Sequence, residues 1–216
     1  MNNRYDLLVF DWDGTLFDSI PFIVSCLQGA AHDCGLPVPA DGAARAVIGL
    51  SLDQAMSALF PQADGGRCTE LIEAYRRYYE VRPARAEDLF QGVPTMLEQL
   101  RGAGYRLAVA SGKTSTQLAK VMKATGTAGW FDTLRGPDQT ASKPDPLMLR
   151  EIMADLDAVP ERTLMIGDSV HDLQMAANAR IDAVAVECGA NSREQLMAFN
   201  PLRCLQQTRE LAAILV

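Results

Sequence analysis

Leu7-Leu8-Val9-Phe10-Asp11-Trp12-Asp13-Gly14-Thr15-Leu16 is the stretch on which the fold turns. Its four consecutive apolar residues, Leu7 to Phe10, read as a strand covered on both faces, the pattern of a central strand in a parallel sheet. The run then breaks into two aspartates at alternate positions, followed by Gly-Thr. In open α/β sheets, ligands bind just beyond the carboxyl ends of the strands. Two carboxylates at such an edge are costly to bury unpaired, so they require a cation or a proton. The plain alternative is a polar turn after a strand, since Asp and Gly are ordinary turn residues.

Downstream of this strand the periodicity changes. Ile20, Ile23, Val24, Leu27, Ala30, Ala31 and Cys34 share one helical face, which predicts a helix over about 20–34. Pro37 and Pro39 interrupt it, and a second helix is expected over 40–48. Ser51-x-x-Gln54 is a capping-box signature that opens a third, to about 59. A loop at 61–66 and a fourth helix at 69–81 follow, with Leu71, Ile72, Tyr75 and Tyr79 on one side. No convincing strand falls between 17 and 88, so this block reads as a helical insertion.

Strand-helix alternation then resumes. A helix is expected at 94–102, a strand at 106–110 ending before Ser111, and a helix to about 125 capped by Thr114 or Ser115. A weaker strand is expected near 131–135, then a polar loop at 136–143. Asp145-Pro146 supplies an N-cap and an N1 proline for the next helix. Strands at 163–167 and 182–186 flank a helix reaching Ala179, Ser192-x-x-Gln195 caps another helix, and Thr208 opens the last. This rhythm predicts a doubly wound parallel α/β sheet. A simple βαβ unit takes about 30 residues, whereas Asp11 and Ser111 lie far further apart in the chain. The helical block accounts for the difference. The expected division is an α/β core at 1–16 and 89–216, with a helical cap at 17–88.

Composition narrows the classes. A chain of 216 residues, 48% of them hydrophobic, can bury a sizeable core. Its net charge of −7 counts against a nucleic-acid or anionic-membrane footprint. No stretch approaches the ~20 apolar residues of a membrane span, and the first residues do not read as a secretory signal. Five dispersed cysteines, with no Cys-x-x-Cys pair, read as reduced thiols and predict a cytoplasmic protein.

The strand ends now line up. Asp11 and Asp13 close one strand, Ser111 another and Asp168 a third, with Asp172 one helical turn on and Lys143-Pro144 in the long loop. Carboxylates, a hydroxyl and a lysine at one edge suit a phosphate and a divalent cation, because magnesium favours hard oxygen ligands and lysine offsets phosphoryl charge.

These four segments resemble the four motifs of the haloacid dehalogenase-like superfamily: Asp-x-Asp-Gly-Thr after a hydrophobic strand, Ser111, Lys143-Pro144, and Gly167-Asp168-Ser169-x-x-Asp172. The insertion resembles the cap of its phosphoglycolate phosphatase and β-phosphoglucomutase branch. The resemblance implies Asp11 as nucleophile, Asp13 as general acid and then base, and Ser111 and Lys143 holding the phosphoryl group. It implies Mg²⁺ on Asp11, the backbone carbonyl of Asp13 and Asp168, with Asp172 ligating or orienting. Dehalogenases of the superfamily lack the second aspartate, so Asp13 points to phosphate chemistry. Residues around the first motif and in the cap shape the leaving-group pocket in that family. Trp12, Thr15, Phe17, Arg45 and Gly49 are therefore expected at the substrate, with Gly112 and Lys113 from the second motif.

Other features have plainer readings. Gly112-Lys113-Thr114 resembles the end of a P-loop, but that motif requires glycine where Leu107 stands. Lys113 then reads as a residue of the site mouth or the surface. His32 and His171 lack metal-ligand spacing and read as structural. Tyr75, Tyr78 and Tyr79 read as packing. Arg45 either pairs with a substrate carboxylate or is simply solvated. The expectation is a Mg²⁺-dependent phosphatase of small phosphorylated metabolites, phosphoglycolate-like substrates leading, as a monomer or homodimer. A phosphomutase and a catalytically retired binding module are the alternatives.

Overall fold

The computed structural model describes residues 4–216. The opening apolar run is β1 (Leu7–Phe10), with all four residues buried. The other strands are β2 (Arg106–Ala110), β3 (Thr133–Arg135), β4 (Thr163–Gly167), β5 (Asp182–Val186) and β6 (Arg203–Leu205). All pair in parallel, in the order β3-β2-β1-β4-β5-β6. The chain starts in the middle and winds outward both ways, so the switch point lies at β1, where such sheets bind ligands.

The helices are α1 (Ile20–Asp33), α2 (Asp41–Ala46), α3 (Leu52–Leu59), α4 (Gly65–Glu80), α5 (Val93–Gly102), α6 (Ser115–Thr125), α7 (Leu147–Asp155), α8 (Val170–Ala179), α9 (Arg193–Met197) and α10 (Leu211–Leu215). The two-residue alternation of side chains along β1 explains their placement. Leu8 and Phe10 pack with Met96, Leu97, Leu118 and Leu211, from α5, α6 and α10. Leu7 and Val9 pack with Met148, Leu149, Ile152 and Met175, from α7 and α8. Helices on both faces leave β1 no contact with water.

Helices α1 to α4 form the insertion and have a separate core, built on Ile20, Leu27, Met56, Leu71 and Ala74. The chain leaves and re-enters the sheet layer side by side: Asp18 N–H donates to Asp88 O (2.8 Å) and Phe90 N–H to Leu16 O (3.0 Å).

Several boundaries differ from expectation. α4 begins at Gly65 rather than 69, because Asp64 Oδ1 accepts from Arg67 N–H (2.9 Å) and offsets the poor helix propensity of Gly65 and Gly66. The expected helix at 40–48 shortens to Asp41–Ala46. Pro146, not Asp145, holds the N-cap position of α7, although Asp145 Oδ1 still accepts from Leu147 N–H (2.9 Å). β6 had no sequence signal. It is three residues long at the sheet edge, and Arg203, largely exposed, breaks any apolar pattern.

Candidate active site

Sheet register brings the charged residues together. Phe10 pairs with Val109 of β2 on one side and Ile166 of β4 on the other. Asp11, Ser111 and Asp168 therefore emerge at the same edge within about one residue of level. Asp11 N–H continues the ladder to Ile166 O (2.9 Å), and Ser111 N–H does the same to Arg135 O (3.1 Å).

Asp11, Asp168 and Asp172 are each buried, and a ligand oxygen from each lies within 4.8 Å of the others. Lys143 Nζ donates to Asp11 Oδ1 and to Asp172 Oδ1, both at 2.6 Å, with its side chain fully buried. Both oxygens of Asp168 and the second oxygen of Asp172 are fixed by neighbours. Thr15 Oγ1 donates to Asp168 Oδ1 (2.7 Å) and Ala190 N–H to Asp168 Oδ2 (2.7 Å). Ser169 Oγ donates to Asp172 Oδ2 (2.6 Å), inside the capping box that opens α8.

Asp13 keeps different company. Lys113 Nζ donates to its Oδ2 (2.6 Å) and Ser19 Oγ to its Oδ1 (2.5 Å). The turn that carries it is tight: Leu16 and Phe17 N–H both donate to Trp12 O (3.0 Å), and Gly14 sits at φ +80°. A Cβ on Gly14 would lie 2.3 Å from Asp168 Oδ2, so both backbone and space demand glycine there.

Burial sets the electrostatics. Burial first, then repulsion from Asp172 and Asp168, lifts Asp11 well above the carboxylate range, against the pull of Lys143. Burial and Asp172 push Asp168 up to about 7. Burial opposes the charge of Lys143, but Asp11 and Asp172 outweigh it and hold its pKa above the ordinary lysine value. Asp13 likewise outweighs the burial of Lys113 and raises it. Three carboxylates against one ammonium leave two formal negative charges in a dry cluster. Hard oxygen donors with that charge fit a small divalent cation such as Mg²⁺.

Some residues expected at the substrate stand elsewhere. The Trp12 side chain is fully buried in the main core, stacked on Phe17 (5.9 Å between centroids, 25°), so neither ring lines the cleft above Asp11. Alternation along the chain explains Trp12, which points opposite to Asp11 and Asp13. Thr15 is spent on Asp168. Arg45 is absent from the cleft wall, and its Nη1 reaches Gly189 O at 3.5 Å. Gly49 and Gly112 do line the cleft. Lys113 is no surface residue but a buried partner of Asp13.

Sequence reasoning missed Ser19 and the cleft role of two tyrosines. Tyr75 and Tyr79 stack (5.7 Å, 20°), line the cleft, and place the Tyr79 ring 4.9 Å from Lys113 Nζ. Their helical spacing was visible in the sequence, but nothing local showed which way that face turns. Tyr78 packs away from the cleft and donates to Asp33 (3.1 Å). His171 bridges insertion and core through Ala46 O (2.9 Å), and His32 lies exposed beside Asp33.

Carboxylates held dry against buried lysines at the switch point of a doubly wound sheet are the equipment of an enzyme for phosphate chemistry. The chain belongs to the haloacid dehalogenase-like hydrolase family, whose model matches residues 8–186. It is 36% identical over 199 residues to the probable phosphatase IndB of Dickeya dadantii, covering 90% of this chain and 86% of that protein. It is 35% identical over 184 residues to the tyrosine-protein kinase PtkA of Mycobacterium tuberculosis, covering 85% of this chain and 62% of that one. A phosphoglycolate phosphatase of Vibrio vulnificus is 28% identical over 204 residues, covering 90% and 89%. Among solved structures, a haloacid dehalogenase-like hydrolase from Bacteroides fragilis superposes with a TM-score of 0.87 at 26% identity, covering 96% of this chain and all of that one. Family and phosphatase-named relatives together make this chain a phosphatase enzyme. Among the described residues, no helix is long and apolar enough to cross a membrane.

Proposed function

We propose that the protein is a Mg²⁺-dependent phosphomonoesterase of small phosphorylated metabolites that works through an aspartyl-phosphate on Asp11. The observation that carries this reading is the contrast between the two leading aspartates. Asp11 belongs to the Lys143-bridged carboxylate cluster, whereas Asp13 is held apart by Ser19 and Lys113.

An Asp11 carboxylate oxygen attacks phosphorus as the bond to the leaving oxygen breaks. Asp13, in its acid form, gives its proton to that oxygen, and the alcohol departs. Water then attacks the phosphorus of the aspartyl-phosphate. Asp13 takes the water's proton, the bond to Asp11 breaks, and phosphate leaves. Lys143 and the Ser111 hydroxyl hold the transferring group, whose chemistry depends mostly on positioning and charge stabilisation. Mg²⁺ held by Asp11, Asp168 and Asp172 would offset the negative charge that builds on the phosphoryl oxygens. The helical insertion, bounded at about 17 and 88, serves as the cap that closes over the cleft, and the protein acts in the cytoplasm.

Phosphate release in Mg²⁺ from phosphoglycolate, alkyl and aryl phosphates, sugar phosphates and nucleotides tests the reading. Free phosphate as product supports it. An isomerised sugar phosphate would make the protein a mutase, and binding without turnover of any ester would make it a retired scaffold.

A further inference from the structure

The walls of the cleft above Asp11 and Asp13 divide by chemistry. The sheet edge supplies the charge. The insertion supplies Ile23 and Leu27 of α1, Leu50 and Leu52, and Tyr75 and Tyr79 of α4, and none of its lining residues is charged. Burial raises the pKa of both tyrosines, so their phenols stay neutral. Among the described residues lining the cleft, Lys113 is the one cation. Its Nζ is already on Asp13 (2.6 Å) and over the Tyr79 ring. Arg45, which the sequence left between pairing with a substrate carboxylate and simple solvation, reaches Gly189 O and is not part of this wall.

A leaving group must occupy the space that the insertion walls off. One carrying a second anion would lose its hydration there and meet no free cation, a costly exchange. An apolar one would gain by leaving water, and two stacked tyrosines offer it a flat face. Resting on the phosphatase reading above, we infer that the substrate is a phosphate monoester of an apolar alcohol, in preference to esters with a second charged group such as phosphoglycolate.

The test compares esters whose leaving groups are all alkoxides, so that each needs the same proton from Asp13. Benzyl and hexyl phosphate should exceed phosphoglycolate in kcat/KM by ~10-fold or more, the scale of burying a side-chain-sized apolar group. Phosphoglycolate turned over equally well or better overturns the inference. Binding is measured separately, in Mg²⁺, with the non-hydrolysable pair 2-phenylethylphosphonate and 3-phosphonopropionate. Tighter binding of the phenyl compound with no turnover of any ester would sink the phosphatase reading and leave the assignment of the pocket standing. Tighter binding of the carboxylate compound overturns that assignment, whatever the turnover. In Leu52→Arg, a new cation at the partly buried wall should narrow the benzyl-to-glycolate ratio by ~10-fold, since an Arg can pair bidentately with a carboxylate. A ratio that stays put in a folded variant also overturns it.

Discussion

Asp11 and Asp13 stand two positions apart and have different neighbours, Lys143 beside the first and Ser19 and Lys113 beside the second. Asp13 should matter most where the leaving oxygen needs a proton. Asp13→Asn should slow phosphoenzyme formation from alkyl phosphates by ~10²–10⁴-fold and from p-nitrophenyl phosphate far less, because p-nitrophenolate departs unprotonated. Asp11→Asn should abolish both reactions. Single-turnover kinetics on both substrates decides, and equal slowing by Asp13→Asn would exclude it as the acid. Thr15 offers a second test, because its hydroxyl donates to Asp168 Oδ1 (2.7 Å). Thr15→Val should weaken Mg²⁺ binding by roughly 10- to 100-fold in calorimetric titration, as loss of an outer hydrogen bond to a metal ligand does. Unchanged affinity would show that Ala190 N–H alone fixes Asp168.

Two contacts between elements carry further consequences. Asp132, just before β3, accepts from Leu107 N–H in β2 (2.9 Å) and from Arg101 in α5 (2.7 and 2.8 Å). Burial pushes its carboxyl up, but Arg101 and the Leu107 N–H outweigh burial and hold its pKa below the ordinary value. A lowered folded pKa means stability that is present above the unfolded pKa and lost as pH falls through the folded one. Asp132→Asn should therefore cost about 1 kcal/mol near neutrality, discounted for partial exposure, with the gap closing below about pH 4. Urea unfolding of both proteins across that range checks the sign. Gly112 is the other contact. A Cβ there would lie 2.4 Å from Leu50 O and 2.8 Å from Gly49 O, where the insertion presses on the β2 edge. Gly112→Ala should hold the insertion off the cleft, lowering kcat/KM at least ~10-fold while thermal unfolding hardly moves. Unaltered kinetics would mean that closure does not pass through this contact.

Across the whole molecule, the acidic cluster should make fold and activity respond to metal together. Chelator should abolish turnover and Mg²⁺ restore it, while Ca²⁺, larger and looser in geometry, should support little. At about 100 times its Kd, Mg²⁺ should add about 2.7 kcal/mol to stability, visible as a raised Tm. Full activity in chelator would exclude the metal-dependent mechanism.

The fold was legible where a pattern repeats locally. Leu7 to Phe10 announced a doubly covered strand, Ser51 and Ser192 cap the helices that their x-x-Gln spacing announced, and Asp11, Ser111 and Asp168 stood at strand ends that the sheet then aligned. Alternation also held a signal for Trp12, one position out of phase with the two aspartates. What stayed hidden depends on partners far apart in the chain. Lys113 joins Asp13 across 100 residues, and Lys143 joins Asp11 across 132. The insertion helices announced their apolar faces, but those faces supply both a core and a cleft wall. Tyr75 and Tyr79 became wall only when α4 packed against α1 above the sheet edge. Secondary structure and sheet-edge chemistry follow from short-range periodicity and the cost of burying charge, which a sequence carries in itself. The pairing of distant ions and the apolar lining of the cleft come from packing, which no local stretch encodes.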